Sequence, residues 1–351
     1  MSRRTVQSTT PSGVAARVAV VAVVGSLLAT APAQAAGDTT PPAAFDLVPD
    51  VGDYQTGYSV AAPYNNIYVS WRATTDDSSA VHYEMTVDGS VARVVTADAS
   101  AIITRRIEVP DGQHVVGLTA VDAAGNRQEA THTLDVVVDK VSPTFTSLPL
   151  LLLRKGKVTN QGYPMRFTWT GADVGTGLAS VRIGPNEQCC YTVGPRRTTF
   201  DFPVEPKSSV AWRIWLYDGV GRMTRTVRDG YVSTVPGRDI TYRDRWKKHR
   251  DAAAMDGSEW QTKRRGARAT TTVIGRSVAW VATTGPTRGK ADVLVNGRAV
   301  ATVNLYSASH RPGRVVWASK LALGRSSTVS IVSRSTNGRP LIGVDALLVQ
   351  R

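Results

Sequence analysis

Short strand-like segments run through almost the whole sequence. Runs of Val, Ile, Thr, Tyr and Trp are broken about every 8 to 12 residues by Gly, Pro, Asn or Asp. Helical periodicity is nearly absent, and residues 243–255 offer at most a turn or two of helix. Because short strands bury their apolar side chains by packing sheet on sheet, the pattern predicts an all-β chain. The 351 residues suffice for two or three modules.

The first 35 residues have the composition of an export signal. Basic "MSRR" precedes the apolar run "VAVVAVVGSLLAT", and "APAQA" supplies a small-residue cleavage site that ends at Ala35. The apolar run is shorter than the roughly 20 residues that a membrane-spanning helix needs. Arg3 and Arg4 leave general secretion and twin-arginine export both open. We therefore expect a secreted protein, extracellular or associated with the cell wall, without membrane insertion.

The two cysteines, Cys189 and Cys190, are adjacent. A disulfide between them would close a strained eight-membered ring, because one trans peptide holds their Cα atoms closer than most disulfides allow. An oxidising compartment permits this vicinal disulfide. A crosslink to a second chain and two free thiols remain open as alternatives.

Proline-containing segments divide the chain. "GDTTPP" at 37–42, "DKVSPT" at 139–144 and "STVPGRD" at 233–239 share this punctuation. Together with the export signal, these segments predict five parts. They are a signal peptide at 1–35, a linker at 36–42, a first module at 43–139, a second at 140–235 and a third at 236–351.

An internal repeat relates the first two modules. "YVSW", which ends at Trp71, aligns with "RFTW", which ends at Trp169, and Asp122 in "AVDAAGN" aligns with Asp218 in "LYDGVGR". We expect both tryptophans in the core. Asp122 is expected to accept backbone N–H groups across a turn in which Gly125 and Asn126 take positive φ. One aspartate per turn offers too few oxygens for calcium.

These modules resemble known β-sandwich families. The motifs "SWRATTDDSSAVHYEMTVDG" and "GQHVVGLTAVDAAGN" make the first module similar to the fibronectin type III or bacterial immunoglobulin-like sandwiches of secreted actinobacterial proteins, and the second is a looser copy. In the third module, "GARATTTVIGRSVAWVATTGPTRGKADVLVNGRAVATVNLYS" and the ending "GVDALLV" resemble a galactose-binding-like jelly roll. The implied architecture is two immunoglobulin-like or fibronectin type III-like β-sandwiches followed by a jelly-roll β-sandwich. The resemblance also implies carbohydrate binding, and a structural calcium held by Asp345 with Asp256 or Glu259.

The segment "KADVLVNGRAVATVN" predicts a bulged hairpin around Asn296 and Gly297. With a two-residue loop the side chains of the two strands mix on both faces. With a three-residue loop they segregate, and small or apolar side chains share one face. That face comprises Ala291, Val293, Val295, Ala299, Ala301 and Val303.

Charge is distributed unevenly along the chain. The net charge is −10 over residues 36–139, +7 over 140–235 and +14 over 236–351. This asymmetry favours an anionic partner for the third module, a wall polymer or glycan rather than nucleic acid, because the chain shows no helical or zinc-finger reading motif. Trp280 is expected in the core. The expected charge contacts are Arg288, Lys290, Arg311 and Arg314, and the expected stacking residues are Trp260, Tyr306 and Trp317.

No catalytic motif stands out. The five histidines are scattered along the chain, and the sequence has no HExxH, no GxSxG, no phosphate-binding glycine loop and no metal-spaced cysteines. The leading hypothesis is a secreted, noncatalytic binding or adhesion protein whose third module binds polysaccharide or an anionic wall polymer, with no cofactor. Two alternatives stay open: head-to-tail self-association through the acidic first and basic third modules, and a hydrolase without a recognisable motif.

Overall fold

The computed structural model describes residues 37–48, 59–77, 80–96, 101–129, 131–185, 191–205, 211–229, 231–334 and 336–351. The expected signal peptide and the Cys189–Cys190 pair lie outside the described residues. In the described part the chain is all-β, and its one helical element is a 3-10 turn at Gly237–Asp239. None of these residues forms an apolar helix of membrane-spanning length.

The first module is a sandwich of two sheets. One sheet has the order β1-β7-β6-β3-β4, with β1 parallel to β7, and β2 pairs with β5 in the other. Apolar side chains of both sheets meet in one core around Trp71 and Tyr83, whose rings make an edge contact at 5.1 Å. The strands are β1 (Ser59–Ala62), β2 (Asn66–Arg72), β3 (His82–Val87), β4 (Ser90–Thr96), β5 (Ile102–Glu108), β6 (Gly112–Val121) and β7 (His132–Val138).

The second module repeats this plan. Its sheets have the orders β13-β10-β8 and β12-β11-β14-β15, and they enclose a core that includes Phe167 and Trp169. The strands are β8 (Thr144–Leu153), β9 (Gly156–Lys157), β10 (Tyr163–Ala172), β11 (Leu178–Gly184), β12 (Tyr191–Val193), β13 (Thr199–Val204), β14 (Ala211–Asp218) and β15 (Met223–Asp229).

The third module consists of two five-stranded sheets and a small three-stranded one. Their orders are β16-β27-β21-β24-β9, β17-β20-β25-β22-β23 and β18-β19-β26. The strands are β16 (Val232–Pro236), β17 (Thr241–Arg243), β18 (Lys247–Arg250), β19 (Ser258–Thr262), β20 (Arg268–Ile274), β21 (Ser277–Thr284), β22 (Lys290–Val295), β23 (Arg298–Asn304), β24 (Arg311–Lys320), β25 (Ser326–Ser333), β26 (Ile342–Val344) and β27 (Ala346–Gln350).

The repeat predicted from the sequence is confirmed at its key positions. Trp71 and Trp169 are 0% and 3% exposed. Asp122 and Asp218 are both buried, and each accepts the backbone N–H four residues later, at 2.7 Å from Asn126 and 2.8 Å from Arg222. Gly125 has positive φ (94°), as expected, whereas Asn126 does not.

The second and third modules share a core. Strand β21 is buried on both faces: Ala279 and Val281 pack into the core of the second module, while Val278 and Trp280 pack into that of the third. This explains the unbroken apolar run "VAWVA", because a strand covered on both sides has no polar face. Trp280 is therefore a core residue, as expected.

Backbone pairing and polar contacts also join these two modules. β9, which lies within the second module's sequence, pairs with β24, and β16 pairs with β27. The buried Ser277 Oγ accepts a hydrogen bond from the Leu153 backbone N–H and donates one to Gln350 Oε1. Most of the segment at 233–239 is therefore part of a paired strand, β16.

The predicted hairpin is confirmed, with its extra residue placed differently. Ala291 faces Val303 and Val293 faces Ala301, the register of the three-residue loop. At the tip, Val295 pairs with Arg298 around a two-residue turn in which Asn296 and Gly297 both have positive φ (51° and 79°). The register shift lies between Ala299 and Ala301, so the bulge is in β23, and Ala299 is exposed rather than on the core face.

Candidate functional site

The four cations expected to bind ligand are not gathered in one place. Arg288 is only 4% exposed, and its Nη2 lies 2.7 Å from Oε2 of Glu259, which is fully buried. Lys290 is exposed at the start of β22, and Arg311 is exposed at the start of β24. Arg314 is half-buried beside Lys157 at the junction with the second module. Arg288 is thus the internal partner of a carboxylate and not a free surface charge.

The expected stacking residues do not form an aromatic platform. Trp317 is 5% exposed and packs in the core of the third module, so it offers no face to a sugar. Trp260 is half-buried and stacks on Tyr242 at 4.6 Å. Tyr306 is exposed, but the Arg339 guanidinium covers its ring at 4.3 Å. The expectation that Trp317 stacks on a ligand is therefore wrong, whereas the same expectation for Trp260 and Tyr306 stays a prediction.

The three acids expected to bind calcium have other partners. Both carboxylate oxygens of Asp345 accept the Met255 backbone N–H, Asp256 accepts a hydrogen bond from Ser258, and Glu259 is paired with Arg288. Burial, followed by the charges of nearby acids, raises the pKa of Asp345 to about 7. Among the described residues these three do not form a metal-ligating group.

A different set of cations projects from β18, in the segment where the sequence favoured a helical turn. That expectation is wrong: Asp244 and Arg245 both have positive φ (68° and 60°), so the chain reverses after β17 and enters the edge strand β18. β18 pairs with β19, and its four side chains, Lys247 to Arg250, are all exposed. Strand pairing overrides the helix propensity of this short segment.

Two adjoining clefts border this strand. Their volumes are about 530 and 560 Å³, within the usual range of ligand sites, and they share His249, Gln261 and Leu341 as lining residues. We call the two together the basic cleft. Its further charged or polar lining residues are Arg245, Lys247, Lys248, Arg250, Asp251, Thr262, Lys263, Arg264, Thr287, Arg288 and His310.

The electrostatics of the basic cleft are strongly positive. Six of its cations form no ion pair with an acid of the described residues, and one lining acid, Asp251, opposes them. Cations that line one cleft repel one another, and an anionic ligand would relieve that repulsion. The six cations are Arg245, Lys247, Lys248, Arg250, Lys263 and Arg264.

A buried polar framework lies beneath the first of the two clefts. Glu259 Oε1 accepts the Thr283 backbone N–H at 2.9 Å, and its Oε2 accepts from Gln261 at 2.8 Å as well as from Arg288. Arg288 and Gln261 also line the cleft, so the ion pair fixes the cleft floor.

Groups capable of acid–base chemistry also line this cleft. His249, His310 and Asp251 are present, but within the described residues neither imidazole hydrogen-bonds to Asp251, whose Oδ1 accepts the Ala253 N–H instead. A catalytic pair needs such contact or a bound substrate to complete it.

Sequence reasoning missed the basic cleft although a signal was present. "RDRWKKHR" at 243–250 and "KRR" at 263–265 are the densest cationic stretches of the third module. An antiparallel pair of strands brings such stretches together, but the helical reading of the first one concealed the pairing.

Neither a protein-family model nor a curated protein matches the sequence. Solved structures with similar folds were found. The CBM36-1 domain of a multidomain xylanase from the hindgut metagenome of Trinervitermes trinervoides shares 13% identity at a TM-score of 0.26, and the match covers 33% of this chain and 94% of that one. The fibronectin(III)-like modules of Clostridium thermocellum CbhA share 14% identity at a TM-score of 0.33, over 52% and 91%.

A glycoside-active enzyme is also among these similar structures. The exo-beta-1,3-galactanase from Phanerochaete chrysosporium shares 9% identity at a TM-score of 0.27, and the match covers 81% of this chain and 78% of that one. TM-scores below 0.5 carry no argument about ligand or activity. The β-sandwich class rests on the sheets described above.

Proposed function

We propose that the chain is a secreted, noncatalytic binding protein whose third module binds an anionic polysaccharide in the basic cleft. The observation that carries this proposal is the set of six cations around two adjoining clefts that form no ion pair within the part of the chain that the structure describes. The first two modules serve as a spacer that projects the third toward its ligand.

The side chains favour an acidic ligand over a neutral one. Neutral sugars are usually held by exposed aromatic faces, and the aromatic residues expected in that role are buried or covered. Carboxylate, sulfate or phosphate groups along a polymer would instead find several donors in a row on β18 and the segment after β19. The net charge of +14 on the third module would steer such a polymer over about one Debye length.

Cations on an edge strand have a second known use. Lysines on exposed edges prevent pairing with strands of other molecules. That use explains Lys247 and Lys248, but it does not require Lys263 and Arg264, which follow β19 and line the same cleft. Their convergence supports a ligand role beyond protection of the edge.

Reversal of two cleft charges is predicted to abolish most binding. The Lys247→Glu/Arg264→Glu variant should bind polygalacturonate about 100-fold more weakly than the unaltered chain, because two charge-assisted contacts are lost and two repulsions are added. Isothermal titration calorimetry of the full chain at low salt measures the change. The methyl ester of the same polymer, which has no charge, should bind poorly to both proteins.

The matched control is Arg298→Glu/Lys320→Glu. Both of its sites are exposed in the same module, lie outside the basic cleft and undergo the same charge change. Equal loss in the two double variants would show a diffuse effect of net charge and would contradict a site in the cleft. A teichoic acid, tested in parallel, distinguishes phosphate polymers from uronates.

The same preparation tests the two alternatives. Light scattering that shows oligomers at low salt without polymer would favour head-to-tail assembly. Release of reducing ends from polygalacturonate, abolished in a His249→Ala variant, would make the cleft an active site and overturn the noncatalytic assignment.

A further inference from the structure

Three carboxylates meet where the first module joins the second. Asp139 follows β7 in the segment that connects the first module to the second, Asp173 follows β10, and Asp218 ends β14. One oxygen from each lies within 4.8 Å of the others. One aspartate in a hairpin turn offers too few oxygens for a calcium ion. Here the fold adds Asp139 and Asp173, from two other segments, to Asp218.

Two oxygens of this cluster are buried without a hydrogen-bond partner. Asp218 is 2% exposed; its Oδ1 accepts the N–H groups of Val220 and Arg222, whereas its Oδ2 has no partner among the described residues. The same holds for Oδ1 of Asp173, whose Oδ2 accepts the Gly177 N–H. Buried carboxylate oxygens are costly when nothing compensates them, so these two indicate a missing ligand.

The charges of the cluster are only partly balanced by cations of the described residues. Burial raises the pKa of Asp139, but hydrogen bonds from Thr176 and from the Val141 N–H, together with the charge of Arg222, bring it below its ordinary value. Three carboxylates and one guanidinium leave a net charge of about −2, which a divalent cation would neutralise. The pKa of Asp218 is raised, first by burial and then by the charges of Asp139 and Asp173, despite its two backbone hydrogen bonds.

The surrounding turn holds the acids in place. The N–H and the hydroxyl of Thr176 both donate to Asp139 Oδ2, at 2.6 and 2.7 Å. A Cβ on Gly175 would collide with the Asp139 carboxylate, so only glycine lets the turn approach this closely. The Arg222 Nη1 donates to the Pro63 carbonyl of the first module at 2.8 Å, which brings both modules to the cluster.

We propose that Asp139, Asp173 and Asp218 bind a divalent cation, Ca²⁺ in preference to Mg²⁺, at this junction. The donors are all carboxylate oxygens, which suit hard cations, and they come from three separate segments, an arrangement that the variable geometry of calcium sites accommodates. Water would fill the remaining coordination positions.

The consequence is mechanical. Asp139 lies in the segment that connects the first two modules, and the other two acids lie in turns of the second module. A cation bound by all three would restrict bending between these modules. The spacer would then be stiff in millimolar calcium, as outside a cell, and looser without it.

Calcium titration of the full chain after chelator treatment tests the site. Asp218→Asn and Asp173→Asn should each raise the dissociation constant for calcium by about tenfold or more relative to the unaltered chain, because one of three charged ligands is lost. Asp135→Asn, an exposed acid on β7, is the control and should leave it unchanged. A second acid group, Asp38, Asp76 and Asp77, makes comparison between variants necessary, since it can add its own binding.

Hydrogen exchange locates the event. In the unaltered chain, calcium should slow exchange of peptides that contain residues 173–177, and Asp218→Asn should remove this protection. Asparagine keeps the shape of the side chain and an oxygen for the Val220 and Arg222 N–H groups, and Asp173→Asn repeats the test at a less buried position. Unchanged affinity and unchanged protection in both variants would overturn the proposal, and so would tighter binding of Mg²⁺ than of Ca²⁺.

Discussion

Replacing Arg288 by methionine is expected to lower the free energy of unfolding of the third module by about 3 to 5 kcal/mol. Glu259 would remain fully buried with hydrogen bonds from Thr283 and Gln261 but without its cation. Removing one partner of a buried pair costs more than the pair contributes, because the remaining charge is uncompensated. Urea denaturation of the full chain, read by hydrogen exchange of peptides from β21 and β27, measures the loss in this module.

Two further variants isolate the buried charge as the cause. Glu259→Gln/Arg288→Met removes both charges and should recover most of the lost stability. Arg298→Met, at an exposed position of β23, should change stability by less than about 0.5 kcal/mol. A loss below about 1 kcal/mol in Arg288→Met would mean that water or another cation compensates Glu259, and the internal role assigned to Arg288 would be wrong.

The fold was predictable where the signals were local. Trp71 follows Val69 by two residues in its strand, and Trp169 follows Phe167 by two, so alternation places each pair on one face. Asp122 and Asp218 begin compact turns, so neighbours in sequence define their environment. The hairpin at 290–304 was predictable in register because alternation of side chains fixes which face is buried. Its bulge was misplaced because a three-residue loop and a two-residue turn followed by a bulge give the same pairing at Ala291 and Val293. Alternation of side chains does not distinguish the two.

The burial of Trp317 was not predictable because one bulge decides it. In β24, Val315 packs into the core of the second module and Trp317 into that of the third, and Val316 is the extra residue between them. Simple alternation places Val315 and Trp317 on one face. Nothing in "RVVWASK" indicates that the face changes, or that a second module covers this sheet.

The charged sites depend on contacts between distant segments. Glu259 and Arg288 meet through β19 and the loop before β22. Asp139, Asp173 and Asp218 come together from three separate segments. Residue type alone could not distinguish Arg288, which is internal, from Lys247, which is exposed. The one usable signal for the basic cleft was the density of positive charge. It lies in "RDRWKKHR", the segment for which the sequence predicts a helical turn.

Asparagine in place of Asp345 is expected to raise the free energy of unfolding of the third module at neutral pH. Near pH 4 the same change should lower this free energy or leave it unchanged. Burial, with the nearby charges of Glu259, Asp256 and Asp251, raises the pKa of Asp345 to about 7 against an ordinary value of 3.8. The Met255 N–H lowers it but does not offset burial. The folded module therefore holds this proton more tightly than the unfolded chain.

The sign of the pH dependence follows from that tighter binding. Between about pH 4 and pH 7 the folded state binds more protons than the unfolded state, so the contribution of Asp345 is fully present below pH 4 and is lost as pH rises through 7. The pKa difference corresponds to about 4 kcal/mol over this window.

Urea denaturation at pH 4, 5, 6, 7 and 8, again read by exchange in β27, provides the test. The stability of Asp345→Asn relative to the unaltered chain should rise steadily across the window and level off above about pH 7. Asp239→Asn, an exposed acid of the same module, should show no such trend. A flat difference for Asp345→Asn would mean that the carboxylate is charged at all these pH values and has a cationic partner. Calcium bound at Asp345, as the sequence resemblance implied, would produce that result, and chelation would then restore the slope.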